Sequence, residues 1–568
     1  METQNNAPQR SSGLKRYGPL IGILVIAAVV AVIVIVVASG DDDDTASTDT
    51  TSGLTSSLEG VVSWTTAEDQ GITDTIDWGD RCDTTRGQAA YPSFFAPECY
   101  APFTGDNGGA TAPGVTADSI KVIYYLTPET DPVIDFITRE IQVDDTNEQV
   151  QQTLEGFNEF YSRYFETYGR RIDLQFFTGT GPSDNAVSAR ADAVTIANMQ
   201  PFAVLGGPLL VPDFADELAA REVLCIGCTP AQSSDWYIER QPYVWGVANN
   251  GQQSQTHSAE FITKQIADRN AEYAGDPALQ SQERRFGLIY LSTSESSEQT
   301  IREFEQNLSD EGVDIAVSLS YASPVDLQTT APQYIAQMKE AGVTTVMFSG
   351  DPIAPQPLTR TATQQDYRPE WYLTSTVLAD TTAFARTYDQ EQWSNAFGVS
   401  TLAARVDPSL QGTIFLWEWF FGTESPTVTG GATVVPALNV IYAVVQGMGP
   451  NVTHQNFRDA LFAGQATPRA ISQPSLSWGD KGIWPYDDYL GIDDATLLWW
   501  DPTATGPDEI QRDGTGMYRY VEGGRRYLPG EWPDTDPDLF VTEGSVDLYR
   551  EPPPGEGSPD YPSPAPTP

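Results

Sequence analysis

Two successive series of alternating strand and helix patterns constrain the fold of this chain most. The first series begins with a β-branched and aromatic run at residues 120–126, and the second begins with an apolar run at residues 286–291. Parallel neighbours in a sheet need a connection of a dozen or more residues, usually a helix, and the strand patterns recur at that spacing. The sequence therefore predicts an α/β fold with two doubly wound parallel-sheet lobes.

The other strands are predicted from further runs of β-branched and aromatic residues. They lie at residues 172–177, 201–205 and 223–226 of the first lobe, and at 314–319, 344–348 and 371–374 of the second. The predicted boundaries are about 114–245 and 377–550 for the first lobe (lobe I) and about 250–376 for the second (lobe II). Ligands of such sheets bind beyond the carboxyl ends of the strands, so we expect a hinge and a binding site in the interlobe cleft.

An uncharged apolar segment precedes both lobes. Residues 20–38 are 19 residues without a charge, and a helix of that length spans roughly 28 Å, close to the hydrocarbon core of a membrane. Arg10, Lys15 and Arg16 come before it and four aspartates at 41–44 follow it. Because positive charge stays on the cytoplasmic side, we expect residues 1–19 to be cytoplasmic and the bulk of the chain to be extracellular.

The alternative is a cleaved signal peptide with the small residues 38–40 as its cleavage site. Signal-peptide cores usually run about 7–15 residues, and this one is longer, which favours an uncleaved single-pass anchor. We expect an acidic Ser/Thr tether at residues 39–60, a disulfide-bearing segment at 61–113, and a disordered Pro-rich tail at 551–568.

The charge balance excludes one class of partner. The chain has 78 Asp and Glu against 31 Lys and Arg, for a formal net charge of −47. Nucleic acids need clustered Lys and Arg to neutralise their phosphates, so no nucleic-acid partner is expected. The acidity instead is typical of the solvated surface of an exported protein.

Four cysteines in an exported chain indicate two disulfides. The expected pairs are Cys82 with Cys99 and Cys225 with Cys228, and the first would close a loop of 16 intervening residues. The second is a C-x-x-C pair, which also occurs in redox sites. Metal binding would need further ligands that no second cysteine pair or histidine cluster supplies, so we expect no metal site.

Enzymatic activity is not expected. The two histidines, His257 and His454, lack a nucleophile-elbow context such as G-x-S-x-G. Any pair of carboxylates is uninformative among 78 acidic residues. The sequence accordingly predicts no catalytic residue and no cofactor.

Five stretches in order resemble one family. They are the G-V-T phrase before the first strand at 114–122, the G-R-x-I-x-L strand at 168–174, the glycine turn at 206–211, the strand and Thr-bearing loop at 223–230, and the late helix at 436–442. Together they resemble the Leu/Ile/Val-binding-protein-like family, the substrate-binding proteins of ABC transporters. The resemblance implies a type I periplasmic-binding fold, in which two hinged lobes close on a ligand.

The resemblance also implies a set of ligand-binding residues. Thr229 matches the family threonine whose hydroxyl, with backbone N–H groups near Gly207, holds a ligand carboxylate. Asp351 stands in for a carboxylate that amino-acid receptors place near Thr376. The loop that commonly carries an aromatic residue in the family here carries Ser292, Ser294 and Glu295, and the cleft wall and hinge are expected to include Tyr125, Thr127 and Trp245.

Each assignment in the second lobe has a structural alternative. Ser292 to Glu295 are also suited to cap the following helix, and Asp351 before Pro352 is also a helix-start signal. Trp245 is equally compatible with packing only.

The predicted function is that of a membrane-anchored extracellular solute-binding protein. It would capture a small polar ligand, an amino acid or a related compound, and deliver it to the membrane permease of an ABC-type importer. The alternative is a cell-surface sensor of the same fold without transport. A cytoplasmic piece of 19 residues leaves no room for a signalling domain, which favours the importer.

Overall fold

The computed structural model describes residues 61–566 except for 140, 142–144, 209, 230–231, 293–294, 375–377 and 429. The predicted apolar segment 20–38 and the tether 39–60 lie outside the described residues. Within the described part, no helix combines the length and the apolar character needed to cross a membrane.

The N-terminal segment and lobe I come first along the chain. The segment contains helix α1 (Trp64–Asp69) and strands β1 (Cys82–Asp83) and β2 (Gln88–Ala89). The lobe I sheet contains β3 (Ser119–Leu126), β4 (Arg171–Thr178), β5 (Ala203–Leu205), β6 (Leu224–Ile226) and β7 (Val244–Trp245). These five strands are all parallel, in the order β4-β3-β5-β6-β7.

Helices connect these strands. They are α2 (Pro132–Thr138), α3 (Asn147–Tyr164), α4 (Ala186–Asn198), α5 (Asp213–Ala220) and α6 (Ser234–Ile238). Helix α3 is an example of how the sequence determines these helices. Thr146 and Gln149 make a capping box at its start, and one face, including Leu154 and Phe157, is buried against the sheet.

Lobe II repeats this arrangement and extends it. Its strands are β8 (Phe286–Leu291), β9 (Ile315–Tyr321), β10 (Thr345–Ser349), β11 (Glu370–Thr374), β12 (Ala396–Ser400), β13 (Ala495–Pro507), β14 (Asp513–Tyr520) and β15 (Arg526–Tyr527). The order is β14-β13-β12-β11-β10-β8-β9, with β15 beside β13. The strands from β8 to β12 are parallel and the last three are antiparallel. The predicted α/β architecture with two parallel sheets is confirmed.

The helices of lobe II cover both faces of its sheet. They are α7 (Gly251–Phe261, continued by a wider turn at Ile262–Ile266), α8 (Pro277–Gln280), α9 (Glu295–Asp310), α10 (Pro324–Glu340), α11 (Pro355–Gln364), α12 (Thr382–Ala385) and α13 (Gln390–Trp393). Helices α14 (Gly412–Phe421), α15 (Gly430–Met448) and α16 (His454–Ala463) then return to the apolar core of lobe I.

The segment 377–550 was predicted to belong to lobe I, and the structure divides it between the lobes. Strand β12 lies parallel to β11, and the β13–β14 hairpin adds to β12, so these strands extend the lobe II sheet. Only helices α14 to α16 and part of the loop before β13 pack in lobe I. The antiparallel pairing of β13 with β12 is a contact between distant parts of the chain, which local periodicity does not predict.

The chain crosses between the lobes three times. The crossings are residues 246–250, 401–411 and 464–494. The buried Arg526 of β15 ties two of them together, because its guanidinium donates to Leu402 O at 2.7 Å, to Thr401 O at 3.0 Å and to Asp494 Oδ1 at 2.9 Å. The Thr401 hydroxyl in turn donates to Asn249 Oδ1 of the first crossing at 3.0 Å. These bonds define the hinge.

A buried ion pair holds the amino-terminal edge of the lobe II sheet. The Arg284 guanidinium donates to both carboxylate oxygens of Glu370, at 2.8 and 2.9 Å, and neither side chain is exposed. Glu370 also accepts from the Thr345 hydroxyl at 2.6 Å and from Tyr273 N at 3.1 Å. A buried charge is tolerated when its hydrogen bonds are satisfied in this way.

Both predicted disulfides are present. Cys82 is bonded to Cys99 and Cys225 to Cys228, which leaves none of the four cysteines free. The first bond joins β1 to the end of its loop, and the second closes the turn that follows β6.

The C-terminal tail was predicted to be disordered, and the structure corrects that expectation. The buried carboxylate of Glu556 accepts from Ile471 N at 2.6 Å and from Ser472 N at 3.1 Å, both in the third crossing. The Ser472 hydroxyl is a further donor to it. A proline-rich composition predicts an extended backbone, and here single anchoring side chains hold that backbone on the protein.

A second anchor lies nearer the end of the chain. The Tyr561 hydroxyl donates to Asp83 Oδ2 at 2.7 Å, and the Tyr561 carbonyl accepts from Trp419 Nε1 at 2.9 Å. The tail therefore runs from the hinge to the N-terminal segment and helix α14.

The disulfide pairing predicts the thiol content of the protein. We expect no free thiol when the protein is titrated under denaturing, non-reducing conditions. Replacing Cys82 and Cys99 together by alanine should lower the free energy of unfolding by about 3 kcal/mol, because the loop they close is then unconstrained in the unfolded chain. A titration that finds two or four free thiols would contradict the pairing.

The ordered tail predicts a stability effect at Glu556. In Glu556→Gln one acceptor oxygen becomes an amide N–H₂ that faces backbone donors, so the free energy of unfolding should fall by about 1–3 kcal/mol in urea denaturation. Glu551→Gln is the matched control, because Glu551 is exposed in the same tail. Equal stability of the two variants would show that the Glu556 anchor contributes nothing.

Candidate functional site

The carboxyl ends of strands β3, β5 and β6 form the lobe I side of the cleft. Thr127 directly follows β3, and Gly206 and Gly207 follow β5. Gly206 has φ +69°, in the left-handed region that favours glycine. A Cβ on Gly207 would lie 2.4 Å from the carbonyl oxygen of Cys228, so only glycine lets the two strand-end turns approach this closely.

Thr229 lies in the turn after β6, next to the Cys225–Cys228 bond. Its side chain is buried, and Gly227 in the same turn has φ +63°. The disulfide and the glycine together fix the direction in which the chain leaves the strand. Thr127, Gly207 and Thr229 are thus brought to one edge of one sheet, as predicted from the parallel topology.

The carboxyl ends of β8, β9 and β10 form the lobe II side. Asp351 follows β10, and its Oδ1 accepts from Ile353 N at 2.8 Å and from Ala354 N at 3.0 Å. The hydroxyl of Tyr321, at the end of β9, donates to Asp351 Oδ2 at 2.7 Å. Asp351 therefore caps the turn before α11 with both lone pairs of Oδ1, and Oδ2 retains one lone pair for a further donor.

Desolvation raises the pKa of the Asp351 carboxyl, and the hydrogen bonds from Tyr321, Ile353 and Ala354 act in the opposite direction. The same desolvation, with the neighbouring Asp351 charge, raises the pKa of Tyr321 well above its ordinary value. Tyr321 accordingly stays a neutral donor to Asp351. The sequence did not indicate Tyr321 as a site residue, because Asp351, to which its hydroxyl donates, lies 30 residues further along the chain.

The loop after β8 is used partly for capping. The Ser292 hydroxyl donates to Glu298 Oε1 in the first turn of α9 at 2.6 Å, and Ser292 N donates to Tyr321 O at 2.8 Å. Glu295 is exposed at the first position of α9. Ser294 and Thr376 lie outside the described residues.

Tyr125 and Trp245, which were expected at the cleft wall and hinge, are buried in the apolar cluster of lobe I. Tyr125 packs edge-on against Phe214 and donates its hydroxyl to Asp192 Oδ2 of α4 at 3.2 Å. Trp245 packs against Tyr489 and donates Nε1 to Pro242 O at 2.8 Å. Both side chains are therefore held by contacts within the lobe I cluster.

Helix α2 spans the cleft between the lobes. The buried Asp131 accepts from Val133 N and Ile134 N at the start of α2, at 2.9 and 3.3 Å. Its other oxygen accepts from the backbone N and the hydroxyl of Ser183 in lobe I, at 2.7 and 2.6 Å. One carboxylate thus caps the helix and ties it to lobe I.

The apolar face of α2 packs on the other lobe. Ile134 of α2 is 5% exposed, and Ile141, three residues after the end of α2, is 1% exposed. Both belong to the apolar cluster that otherwise contains lobe II residues such as Phe348 and Leu378. Through α2 the two lobes are in contact. The Asp131-Pro132 pair is a helix-start signal that the sequence displays, whereas the packing of α2 on lobe II leaves no local signal.

The histidines take structural positions. His257 is buried, with Nε2 3.1 Å from Asp493 O and Nδ1 accepting from Trp532 Nε1 at 3.2 Å, and burial lowers its pKa to about 3. His454 stacks on Phe202. Among the residues that the structure describes, no three His, Cys, Asp or Glu side chains are grouped so as to hold a metal ion.

Sequence comparisons find no relative. No protein-family model matches the chain, and no curated protein matches it.

Comparison of the structure with solved structures does find similar proteins. The solute-binding protein of an ABC transporter from Rhodopseudomonas palustris HaA2, in complex with p-hydroxybenzoic acid, superposes with a TM-score of 0.50 at 13% identity, over 75% of this chain and 100% of that one. Two others are a fatty acid ABC transporter substrate-binding protein from Thermomonospora curvata and the isoleucine complex of the branched-chain amino acid transporter substrate-binding protein LivJ from Streptococcus pneumoniae. Their TM-scores are 0.48 and 0.47, at 13% and 11% identity, over 75% and 71% of this chain and 97% and 100% of theirs.

At these identities the likeness concerns the fold alone. The strand order, the three crossings and the superposition agree with one another, and they agree with the resemblance that the sequence motifs carry. The chain therefore has the type I periplasmic-binding fold of ABC-transporter substrate-binding proteins.

Proposed function

We propose that this chain is an extracellular solute-binding protein that captures a small polar ligand between its lobes. The observation that supports this most is the interlobe contact through α2. It places the carboxyl ends of two parallel sheets on either side of one cleft, bridged by a helix that is fixed to lobe I and packed on lobe II. In open α/β sheets ligands bind at that edge.

The ligand we propose is an amino acid or a related compound. On lobe I, Thr229 and the backbone around Gly207 would hold its carboxylate. On lobe II, Asp351 would hold its ammonium, because an ammonium buried without an opposing charge costs several kcal/mol. Thr127, Ser292, Ser294, Glu295 and Thr376 are proposed to line the remainder of the site.

Ligand capture would involve closure of the lobes. Hinged two-lobe proteins close when the ligand contacts both lobes at once, since the ligand then favours the state in which both sets of contacts exist. Helix α2 adds an apolar contact to that closed state through Ile134.

We further propose that the protein is held at the cell membrane by residues 20–38 and delivers its ligand to the permease of an ABC-type importer. The uncharged segment with basic residues before it and aspartates after it supports this placement. A cell-surface sensor with the same cleft is the second candidate. Uptake of the ligand by cells that lack this protein would separate the two, since only the importer role makes uptake depend on it.

A ligand screen tests the proposal. Thermal-shift measurements with amino acids, short peptides, sugars and aromatic acids, p-hydroxybenzoic acid included, should find one class that stabilises the protein. At 100 times its Kd a ligand adds about 2.7 kcal/mol to the free energy of unfolding. No stabilisation by any of these, together with turnover of an ester or a glycoside, would overturn the proposal.

The role of Asp351 has its own test. In Asp351→Asn the affinity for an amino acid should fall at least tenfold in calorimetric titration, because the charge opposite the ammonium is lost. The affinity for p-hydroxybenzoic acid, which has no ammonium, should be unchanged. Asp326→Asn is the control, since Asp326 is an exposed carboxylate in the first turn of α10. Unchanged amino-acid affinity in Asp351→Asn would exclude the ammonium role.

Ile134 of α2 is not among the residues proposed to contact the ligand, but its contact with lobe II should affect the ligand affinity. Ile134→Ala removes buried apolar surface between the lobes, so the Kd of the ligand should rise about tenfold or more while the fold of each lobe is kept. Asp135→Asn, at an exposed position of the same helix, should leave the Kd unchanged. Equal affinities of the two variants would show that α2 does not contribute to closure.

A further inference from the structure

The C-terminal tail makes a further connection between the lobes, in addition to the three crossings. After β15 the chain returns to the lobe II sheet, where Val546 pairs with Tyr520 at the end of β14. Val546 N donates to Tyr520 O at 3.0 Å, and Tyr520 N donates to Val546 O at 2.8 Å. The tail therefore starts from a fixed position on lobe II.

The tail next joins the second crossing. Tyr549 N donates to Arg405 O and Asp407 N donates to Tyr549 O, both at 2.8 Å. The Tyr549 hydroxyl also donates to Gly523 O of lobe II at 2.9 Å. These bonds hold this part of the tail on the lobe II side of the hinge.

The last contact on that side is made by Glu556. Its buried carboxylate accepts from Ile471 N and Ser472 N of the third crossing. The Ile471 side chain packs on the apolar cluster of lobe II, and the Ile471 carbonyl accepts from Ala404 N of the second crossing at 3.2 Å. Glu556 therefore holds the tail where the second and third crossings meet.

The next contact of the tail is with the other lobe. The carbonyl of Tyr561, five residues after Glu556, accepts from Nε1 of Trp419 in α14 at 2.9 Å. The Ser563 hydroxyl donates to Trp419 O. Helix α14 belongs to lobe I, because its Phe420 is buried in the lobe I cluster.

The Tyr561 side chain adds a second contact on this lobe. Its hydroxyl donates to Asp83 Oδ2 at 2.7 Å and accepts from Arg86 Nη1 at 3.3 Å. Both partners belong to the N-terminal segment, whose Tyr91 and Ala96 are buried in the lobe I cluster. Tyr561 is therefore bonded to the lobe I body in two ways.

The short span between the two anchors limits how far they can separate. An extended chain covers at most about 3.6 Å per residue, so the five residues from Glu556 to Tyr561 reach about 18 Å at most. Pro559 lies within this span, and a proline fixes φ at a value that suits an extended backbone. Wider separation of the lobes would have to break the bonds at one anchor.

We propose that residues 556–563 form a strap across the hinge, which limits the separation of the two lobes. The strap favours the arrangement in which α2 packs on lobe II, because the bonds at both anchors exist in that arrangement. Its effect on ligand affinity rests on the proposed function, whereas its effect on the ligand-free protein does not.

The distance between the lobes in the ligand-free, full-length protein tests the strap. Spin labels are attached at Val187→Cys on α4 and Val325→Cys on α10, which are exposed positions on lobe I and lobe II. Deletion of residues 558–568 removes the lobe I anchor and keeps Glu556. It should shift the distance distribution to longer distances.

A pair of single substitutions examines the lobe I anchor without shortening the chain. Trp419→Phe removes the Nε1 donor to Tyr561 O and should give a smaller shift in the same direction. Trp417→Phe is the matched control in the same helix, because Trp417 Nε1 donates to Thr423 Oγ1 and not to the tail. A shift in Trp417→Phe equal to that in Trp419→Phe would contradict the role of this anchor.

An insertion separates the length of the strap from its bonds. A Gly/Ser segment of about eight residues after Gly557 lengthens the strap by up to about 28 Å and keeps both anchors. Gly557 is exposed, and a Cβ added there would meet no atom within 4 Å, so the insertion has room. It should shift the distances as the deletion does, whereas the same segment added after Pro568 should not. No shift with the insertion, whatever the deletion does, would overturn the strap.

Titration with a ligand from the screen links the strap to the proposed function. The Kd should rise about threefold or more with the insertion, since it varies inversely with the population of the arrangement that binds. If no ligand is found, the proposed function is contradicted, and the ligand-free distances still decide the strap. An unchanged Kd in a variant whose lobes have separated would contradict the effect of the strap on binding.

Discussion

The hydrogen bonds of Arg526 are the interaction on which the relation of the two lobes depends. Its guanidinium joins the carbonyls of Thr401 and Leu402 in the second crossing to Asp494 in the third. Buried charge-assisted bonds of this kind have fixed geometry and are costly to break. The crossings therefore form one unit about which the lobes are placed, and the position of the cleft follows from that placement.

Much of the fold could be predicted because most strands and helices are indicated by local patterns of apolar residues. A parallel strand that is buried on both faces has a short, nearly continuous run of apolar residues in its sequence. The run at residues 120–126 therefore indicates a strand. The two strand-end turns that meet at Gly207 could be expected from the topology alone. The cysteine pairs followed from their spacing and from the expectation that the chain is exported.

The rest depended on contacts between distant residues. No local pattern shows that β13 adds to β12, that Glu556 binds the third crossing, or that Ile134 packs on lobe II. The composition of the tail led us to expect disorder, and it does not show that Glu556 and Tyr561 bind other parts of the chain. Tyr125 and Trp245 were expected near the cleft from their position close to strand ends, and their burial in the lobe I cluster depends on packing partners distant in sequence, such as Phe214 and Tyr489.

Two kinds of polar group occur at the lobe junction. At the cleft, Asp351 accepts from Tyr321, Ile353 and Ala354 and keeps one lone pair on Oδ2, which suits a ligand that brings its own charge and donor. In the second crossing, Arg405 Nε faces Glu509 Oε1 at 3.4 Å, and its buried Nη1 has no described partner.

The central claim is that a ligand closes the two lobes, and a distance measured between them tests it most directly. Val187 on α4 and Val325 on α10 are 79% and 55% exposed, one on each lobe, and all native cysteines are paired. Spin labels on Val187→Cys and Val325→Cys should give a broad distance distribution without ligand. A saturating ligand from the screen should shift it to a single, shorter distance. A distribution that the bound ligand leaves unchanged would contradict the account.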